Sequence, residues 1–255
     1  MSEETQETFL SHLIELRQRL VRALVAMGIL FIPAFFFSAE IYDFLALPLV
    51  STLPQGSKMI ATGVITPFLI PMKIAAMAAF LVALPYILYE VWAFVAPGLY
   101  QHEKRLALPV IVSSVFFFAV GMSFAYFVVF PVAFGFFAGY TPPGVQMMTD
   151  IDKYLSFVLT MFIAFGLTFE TPVVVVVLVR MGVISLEKLK GMRPYVIVGA
   201  FVIGAIFTPP DVISQCLLAI PLWVLFELGL FIARFVTVPV KDDAPADEKV
   251  GSQAG

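Results

Sequence analysis

Six long runs of apolar residues, separated by charged segments, constrain the fold of this chain more than any other feature. Most of these runs reach the ~20 residues that a helix needs to cross ~30 Å of hydrocarbon. Hydrophobic residues make up 61% of the sequence and the mean hydropathy is +1.00, far outside the averages of soluble proteins. We therefore expect an all-α membrane protein with six transmembrane helices, formed by residues 23–39, 67–95, 106–138, 154–179, 194–207 and 212–233.

The fifth and sixth apolar runs are short. Only about fourteen residues separate Arg193 from the turn Thr208-Pro209-Pro210-Asp211, and a helix of that length covers roughly 21 Å. The sixth run is only slightly longer and contains Glu227. This mismatch with the bilayer predicts either local thinning of the membrane or protection of these helices by a partner.

Basic residues indicate which side of the membrane each loop faces. Twelve of the 15 lysines and arginines lie before the first run, between the second and third, between the fourth and fifth, and after the sixth. By the positive-inside rule, both termini are cytoplasmic. The outward loops at 40–66 and 139–153 carry proline and glycine suited to turns rather than strands, and we expect them to form a cap. One transmembrane domain at 1–238 is followed by a tail at 239–255 whose composition predicts disorder.

Glu170 is the only charged residue between 154 and 179. An acid inside a membrane span is expensive to bury, so it is a functional-site hypothesis by default. It lies ten residues, or about 15 Å of helix, from Arg180 at the inner end of the span. A functional role and a simple polar contact between helices both remain open for it, and Gln215 in the sixth run fits packing better than a site.

Two further acids lie near the expected inner face. Residues 9–24 have a helical apolar stripe and a polar stripe, which predicts an amphipathic interfacial helix that presents Glu15. Glu103 lies in the short inner loop after the second run. Two carboxylates at one entrance suit a cationic ligand, particularly one that carries arginines. The alternative is a helix ion pair of Glu15 with Arg19 and local pairing of Glu103 with its basic neighbours.

Other acids in the spans indicate structure rather than chemistry. Glu90 and Glu227 lie roughly two turns from inner helix ends, which favours snorkelling or a hydrogen bond between helices. The sequence lacks nucleotide-binding and metalloprotease motifs, and it has one cysteine and two histidines. We therefore expect no enzymatic activity, no cofactor, no metal and no nucleic-acid partner.

Several segments resemble TatC, the large subunit of the bacterial twin-arginine protein translocase. The resemblance runs in order from about residue 10 to 234 and rests on no single motif. Its segments are His12-Leu13-Ile14-Glu15-Leu16-Arg17, Phe94 to Tyr100 with His102-Glu103, Phe124-Ala125-Tyr126-Phe127, Phe165-Gly166 through Phe169-Glu170-Thr171-Pro172, and Arg193-Pro194-Tyr195 through Thr208-Pro209-Pro210-Asp211.

The resemblance implies a glove-shaped, six-helix receptor for folded precursor proteins with twin-arginine signal peptides. It implies a bacterial inner-membrane location, assembly with TatB and TatA, self-association and use of the proton-motive force. Besides membrane lipid, no other partner is implied. The implied residues are Glu15, Glu103, Phe94, Pro97 and Leu99 for the signal peptide, Glu170, Gln215 and Thr208 for a partner helix, and Pro48 and Asp211 for transport or assembly at the outer face.

Two other classes of function remain open from the sequence. A proton-coupled secondary transporter would also place one acid, here Glu170, inside a membrane helix. A structural scaffold would bind small membrane proteins without recognising a signal peptide.

Overall fold

The computed structural model of the protein describes residues 3–51, 59–95, 104–140, 148–208 and 211–236. The predicted tail at 239–255 lies outside them. Apart from one isolated bridge, the regular structure of this part of the chain is helical. The helices are α1 (Glu3–Phe36), α2 (Ser38–Val50), α3 (Thr66–Val95), α4 (Lys104–Phe124), α5 (Phe130–Gly139), α6 (Ile151–Phe169), α7 (Thr171–Arg180), α8 (Leu186–Gly191), α9 (Arg193–Phe207) and α10 (Val212–Val236), with a π-helical turn at Ala125–Val129 between α4 and α5.

Five helical stretches of the described residues are long and apolar enough to cross a membrane. They are Leu10–Phe36, Thr66–Phe94, Leu108–Gly139, Ile151–Arg180 and Val212–Phe235. The sixth predicted span is the shorter helix α9, whose 15 residues cover about 22 Å. Helix α10 has 25 residues and is longer than predicted, because its apolar sequence continues past Arg234.

The first span and the predicted amphipathic segment form one continuous helix. Helix α1 runs for 34 residues and packs along α3. A turn at Phe37 ends it, and helix α2 follows at once. The first part of the outward loop at 40–66 is therefore a helix, which its proline content did not indicate. Helix α2 forms there because it has an apolar face to bury, which includes Leu45 and Leu49.

Helix α2 is fixed to the bundle by two tyrosine hydroxyls. Tyr126 donates to the Phe44 carbonyl at 2.7 Å, and Tyr154 donates to the Leu45 carbonyl at 2.6 Å. The rings of Tyr126 and Phe44 also stack, with their centroids 4.6 Å apart. A buried tyrosine needs a hydrogen-bond partner. The carbonyls of α2 supply it and hold this helix against the core.

Helix α6 lies at the centre of the core. Its side chains Leu155, Val158, Met161 and Phe165 are fully buried and pack among aromatic residues of the neighbouring helices. Helices α4 and α6 approach closely at two glycines, because a Cβ on Gly121 would lie 2.5 Å from the Phe165 carbonyl oxygen. The other contact is at Gly166, which faces the ring of Phe118.

The fourth span is broken at Glu170, the residue between α6 and α7. Pro172 follows within the first turn of α7. Proline has no N–H to donate and its ring clashes with the carbonyl four residues earlier, which is Thr168. The Thr171 hydroxyl donates to that carbonyl at 2.6 Å instead. The sequence therefore places the only acid between residues 154 and 179 at a joint between two helical segments.

The segment that precedes α3 meets the segment that precedes α6. Ile60 donates its N–H to the Thr149 carbonyl and accepts from the Ile151 N–H, at 3.0 and 2.9 Å. This single bridge joins the two loops that were predicted to form a cap. Asp150 caps the N-terminus of α6 by accepting from the N–H groups of Asp152 and Lys153.

Candidate functional site

An arginine of α1 connects two carboxylates near one end of the bundle. Arg19 donates from Nε and Nη2 to Oε1 of Glu15, at 2.9 and 2.6 Å. Its third nitrogen, Nη1, donates to Oε2 of Glu90 on α3 at 2.9 Å. The Glu15–Arg19 pair is the helix ion pair that the sequence left open, and the second contact joins α1 to α3.

The two carboxylates differ in their exposure. The Glu15 side chain is 42% exposed, whereas that of Glu90 is 5% exposed. The Tyr86 hydroxyl also donates to Glu90 at 2.9 Å, and Arg22 lies 3.9 Å away. Glu90 therefore has the interhelical role expected from the sequence, while the Glu15 carboxylate remains partly exposed to solvent.

An aromatic pair lies one turn from Glu15. The His12 ring stacks on the ring of Phe94, with centroids 4.3 Å apart and planes inclined by 17°. His12 is three residues before Glu15 on α1, so the two side chains share one region of the helix surface. Phe94 therefore packs against α1 about one turn from Glu15. Three other residues predicted for signal-peptide binding lie outside the described residues, namely Pro97, Leu99 and Glu103.

Glu170 is buried and its carboxyl is unsatisfied. Only 6% of the residue is exposed, and neither carboxyl oxygen makes a hydrogen bond among the described residues. Ser114 of α4 is the polar side chain beside it. The Ser114 hydroxyl accepts the indole N–H of Trp92 at 2.9 Å and has no well-formed hydrogen bond to the carboxyl. A buried acid in this state requires a donor or a proton, because burying an unpaired polar group costs free energy.

Thr208 and Gln215 lie in the hairpin of α9 and α10, and both interact with that hairpin. The Thr208 hydroxyl donates to the Gly204 carbonyl at 2.8 Å, and the Gln215 amide donates to the Phe201 carbonyl at 2.8 Å. Gly204 allows the close contact, since a Cβ there would lie 3.0 Å from Cγ of Gln215. Among the described residues, neither side chain forms a hydrogen bond with Glu170.

The base of this hairpin is closed by an arginine fork. Nε and Nη2 of Arg193 donate to the two carboxylate oxygens of Glu227, at 2.6 and 2.8 Å. Both side chains are partly exposed. Glu227 therefore has the interhelical role expected from the sequence, and the fork fixes the start of α9 against α10.

The two residues predicted for the outer face are structural parts of helices. Pro48 is buried in the last turns of α2. Asp211 precedes α10, and its Oδ1 accepts the Ser214 N–H at 2.7 Å, as an N-terminal cap does. Its other carboxylate oxygen is buried without a partner among the described residues.

Polar contacts around the N-termini of α3 and α6 were not anticipated from the sequence. Lys73 of α3 donates to Asp152 at 2.5 Å and to Ser156 at 3.2 Å. The Thr62 hydroxyl and backbone N–H both donate to Asp150. Hydrogen bonds from the Thr62 side chain and from backbone amides lower the pKa of Asp150 to about 2. The sequence pattern that could have indicated the contact of Lys73 with Asp152 is a lone lysine in one apolar run and an aspartate at the start of another.

Comparison with known proteins gives one family. A model of the family described as Sec-independent protein translocase protein (TatC) matches residues 11–221. The TatC protein of Escherichia coli K12 is 53% identical over 235 residues, which cover 92% of this chain and 91% of the relative. The TatC protein of Azotobacter chroococcum is 52% identical over 239 residues and covers 92% and 94%.

Solved structures give the same result. A crystal structure of the twin-arginine translocase receptor TatC superposes with a TM-score of 0.77 at 41% sequence identity, and it covers 88% of this chain and 99% of that one. A second structure of the receptor, in the detergent DDM, gives a TM-score of 0.78 at the same identity. The predicted all-α, multi-span membrane fold is thereby confirmed.

Proposed function

The chain belongs to the TatC family of Sec-independent protein translocase proteins, and from this premise we propose that it binds the twin-arginine signal peptides of folded precursor proteins. It is a multi-pass membrane protein and a translocase component rather than an enzyme. The transporter alternative is not favoured, since the similar proteins are translocase proteins and their crystal structures are of a receptor.

The partly exposed carboxylate of Glu15 is the observation that carries this proposal. It lies beside the stacked rings of His12 and Phe94 at one end of the α1–α3 pair. A guanidinium can donate two parallel hydrogen bonds to a carboxylate, and aromatic faces accommodate both a guanidinium and apolar side chains. The combination suits a peptide with arginines followed by an apolar segment.

In the proposed complex, the twin arginines bind first and the apolar part of the signal peptide then inserts along the helices. Glu15 and Glu103 bind the two guanidinium groups, with Phe94, Pro97 and Leu99 nearby. A twin-lysine peptide should bind more weakly, because an ammonium cannot form the bidentate fork. Equal affinity of the purified protein for both peptides would contradict the fork.

Site-specific photocrosslinking in membranes tests the receptor proposal. A photoreactive amino acid replaces Glu15, Glu103 or, as a control in the same bundle, Glu170, and a radiolabelled twin-arginine precursor is added. We expect precursor adducts at the first two positions. The matched control is the same precursor with twin lysines, which should give fewer adducts. No adduct at either acid would reject the proposed receptor site.

A second part of the proposal concerns other subunits. The buried, unsatisfied carboxyl of Glu170 fits a site that receives a polar group from a partner's transmembrane helix, together with Gln215 and Thr208 in the α9–α10 hairpin. TatB and TatA are the proposed partners, and copies of this chain associate within the receptor complex. Pro48 and Asp211 act at the outer face by holding α2 and the start of α10 in place for transport or assembly.

We place the protein in the bacterial inner membrane with both termini in the cytoplasm. The distribution of basic residues supports this orientation. It puts Glu15 on the side where folded precursors are made, and Asp150 and Asp211 on the opposite side. Transport is driven by the proton-motive force.

A further inference from the structure

The two ion pairs of Arg19 differ in how easily they can be broken. Glu90 is buried, and Arg19 supplies its closest ion pair, while Arg22 is 1 Å more distant, at 3.9 Å. Removing a partner from a buried charge is strongly destabilising, because the remaining charge has lost its water as well. Glu15 is exposed enough for water to replace Arg19. Arg19 can therefore leave Glu15 far more readily than it can leave Glu90.

The hydrogen bonds between Arg19 and Glu15 are those that a ligand arginine would need. Two guanidinium nitrogens of Arg19 converge on Oε1 of Glu15. A bidentate fork from an incoming guanidinium needs both carboxylate oxygens, so it cannot form while Arg19 holds Oε1. The incoming guanidinium also carries the same charge as Arg19, so close approach without exchange is unfavourable.

We infer that Arg19 is an internal competitor for the proposed signal-peptide site. In the unliganded protein its guanidinium occupies Glu15, and a ligand arginine displaces it, while Arg19 remains bound to Glu90. This inference rests on the proposed function, because it assumes that Glu15 binds an arginine of the peptide. It adds a residue that determines affinity without touching the ligand.

The consequence of such a competitor can be calculated. Binding requires the state in which Arg19 has left Glu15. The apparent affinity is therefore the intrinsic affinity multiplied by the fraction of molecules in that state. This factor is the same for every ligand that uses Glu15. Arg19 therefore weakens the binding of every cationic segment by the same factor, so that weakly binding segments stay unbound. The ratio of affinities between two ligands is unchanged.

The substitution Arg19→Lys isolates this effect. A lysine keeps the positive charge beside Glu90, but a single ammonium cannot reproduce the fork that reaches Glu15 and Glu90 together. We expect a synthetic twin-arginine peptide to bind about two- to fivefold more tightly, the range expected for a partly exposed ion pair. A twin-lysine peptide should gain by the same factor. Binding is measured by fluorescence anisotropy with the full chain in lipid nanodiscs.

A double-mutant cycle shows whether the gain passes through Glu15. In a Glu15→Gln background, Arg19→Lys should leave peptide affinity unchanged, because the site that it competes for has gone. The control variant is Arg17→Lys on the same helix. Residues two positions apart point to different sides of a helix, and Arg17 has no ion pair among the described residues, so its substitution should leave affinity unchanged.

The possible outcomes separate this inference from the function on which it rests. If wild-type protein does not bind the twin-arginine peptide, or if Glu15→Gln binds it normally, the proposed site is wrong. If wild type binds and Arg19→Lys binds equally or more weakly, the competitor is rejected. A gain that persists with Glu15→Gln also rejects it. If Arg19→Lys does not fold, the neutral double variant Arg19→Gln/Glu90→Gln tests the same gain.

Discussion

The close contact between α4 and α6 at Gly166 gives a sharp test of the packing. A Cβ added to Gly166 would lie within 2.6 Å of three ring atoms of Phe118. Non-bonded carbon atoms are normally 3.5–4.0 Å apart, so the ring must move by about 1 Å. Phe118 is fully buried against neighbours that include Phe80, so any movement of its ring displaces packed side chains. Gly166→Ala is therefore expected to destabilise the protein.

The size of the effect follows from two opposing contributions. Overpacking of a filled core lowers the free energy of unfolding by about 1–3 kcal/mol. Replacing glycine by alanine within a helix raises it by at most about 1 kcal/mol. We expect a net loss of about 1–2 kcal/mol, which corresponds to a decrease in Tm of roughly 2–8 °C for a chain of this size. The assay is thermal unfolding of the purified protein in detergent, followed by the fluorescence of Trp92 and Trp223.

Two further variants make this test specific. Gly135→Ala lies inside helix α5, where an added Cβ has no atom within 4 Å, and it should be neutral or slightly stabilising. Phe118→Leu removes the ring atoms that clash, so Gly166→Ala should destabilise this background less than it destabilises wild type. A Gly166→Ala protein that unfolds at or above the wild-type temperature would refute the reasoning. Because Glu170 lies one turn further along, the same variant should also disturb the proposed docking site.

Three other predictions concern separate parts of the molecule. Glu170→Ala should weaken co-purification with TatA or TatB and leave twin-arginine peptide binding largely intact, whereas loss of peptide binding with normal assembly would reverse that assignment. Reversing the charge of Arg193 or of Glu227 alone should lower Tm modestly, since the fork is partly exposed, and reversing both charges should restore part of the loss; equal losses in all three variants would exclude a pairwise bond. The lowered pKa of Asp150 means that its ionised carboxylate stabilises the contact between the two loops above pH 4. This stabilisation is lost as the pH falls from about 4 to about 2. Amide exchange at Thr62, corrected for the intrinsic rate at each pH, should lose protection over that interval, and protection that is equal at pH 5 and pH 2 would contradict this.

The helical spans were predictable because hydrophobicity and length decide them. Lipid leaves few alternatives for an apolar run of twenty residues, and the short helix α9 is visible in the sequence for the same reason. The interhelical roles of Glu90 and Glu227 were also predictable. An acid two turns inside a span needs a polar partner, and each has an arginine on the adjacent helix.

Choices among partners were not predictable in the same way. Sequence spacing identified the Glu15–Arg19 pair but could not show that Arg19 also reaches Glu90, because that contact depends on how α1 and α3 are rotated against each other. Helix α2 was missed because proline and glycine in the loop suggested turns, while tertiary packing of Leu45 and Leu49 decided the conformation. The residues around Glu103 lie outside the described part of the chain, so the role of that acid stays a prediction.

The Ile60–Asp150 bridge joins two segments that leave the ribosome about 90 residues apart, with two membrane crossings between them. These crossings return the chain to the side from which it started. Ile60 therefore arrives there first and waits without this partner until residues 149–151 have been synthesised. The bridge closes late in biogenesis, and a nascent chain stalled before residue 149 cannot form it. Protection of the Ile60 amide thus reports that the first three spans have been inserted in their final order.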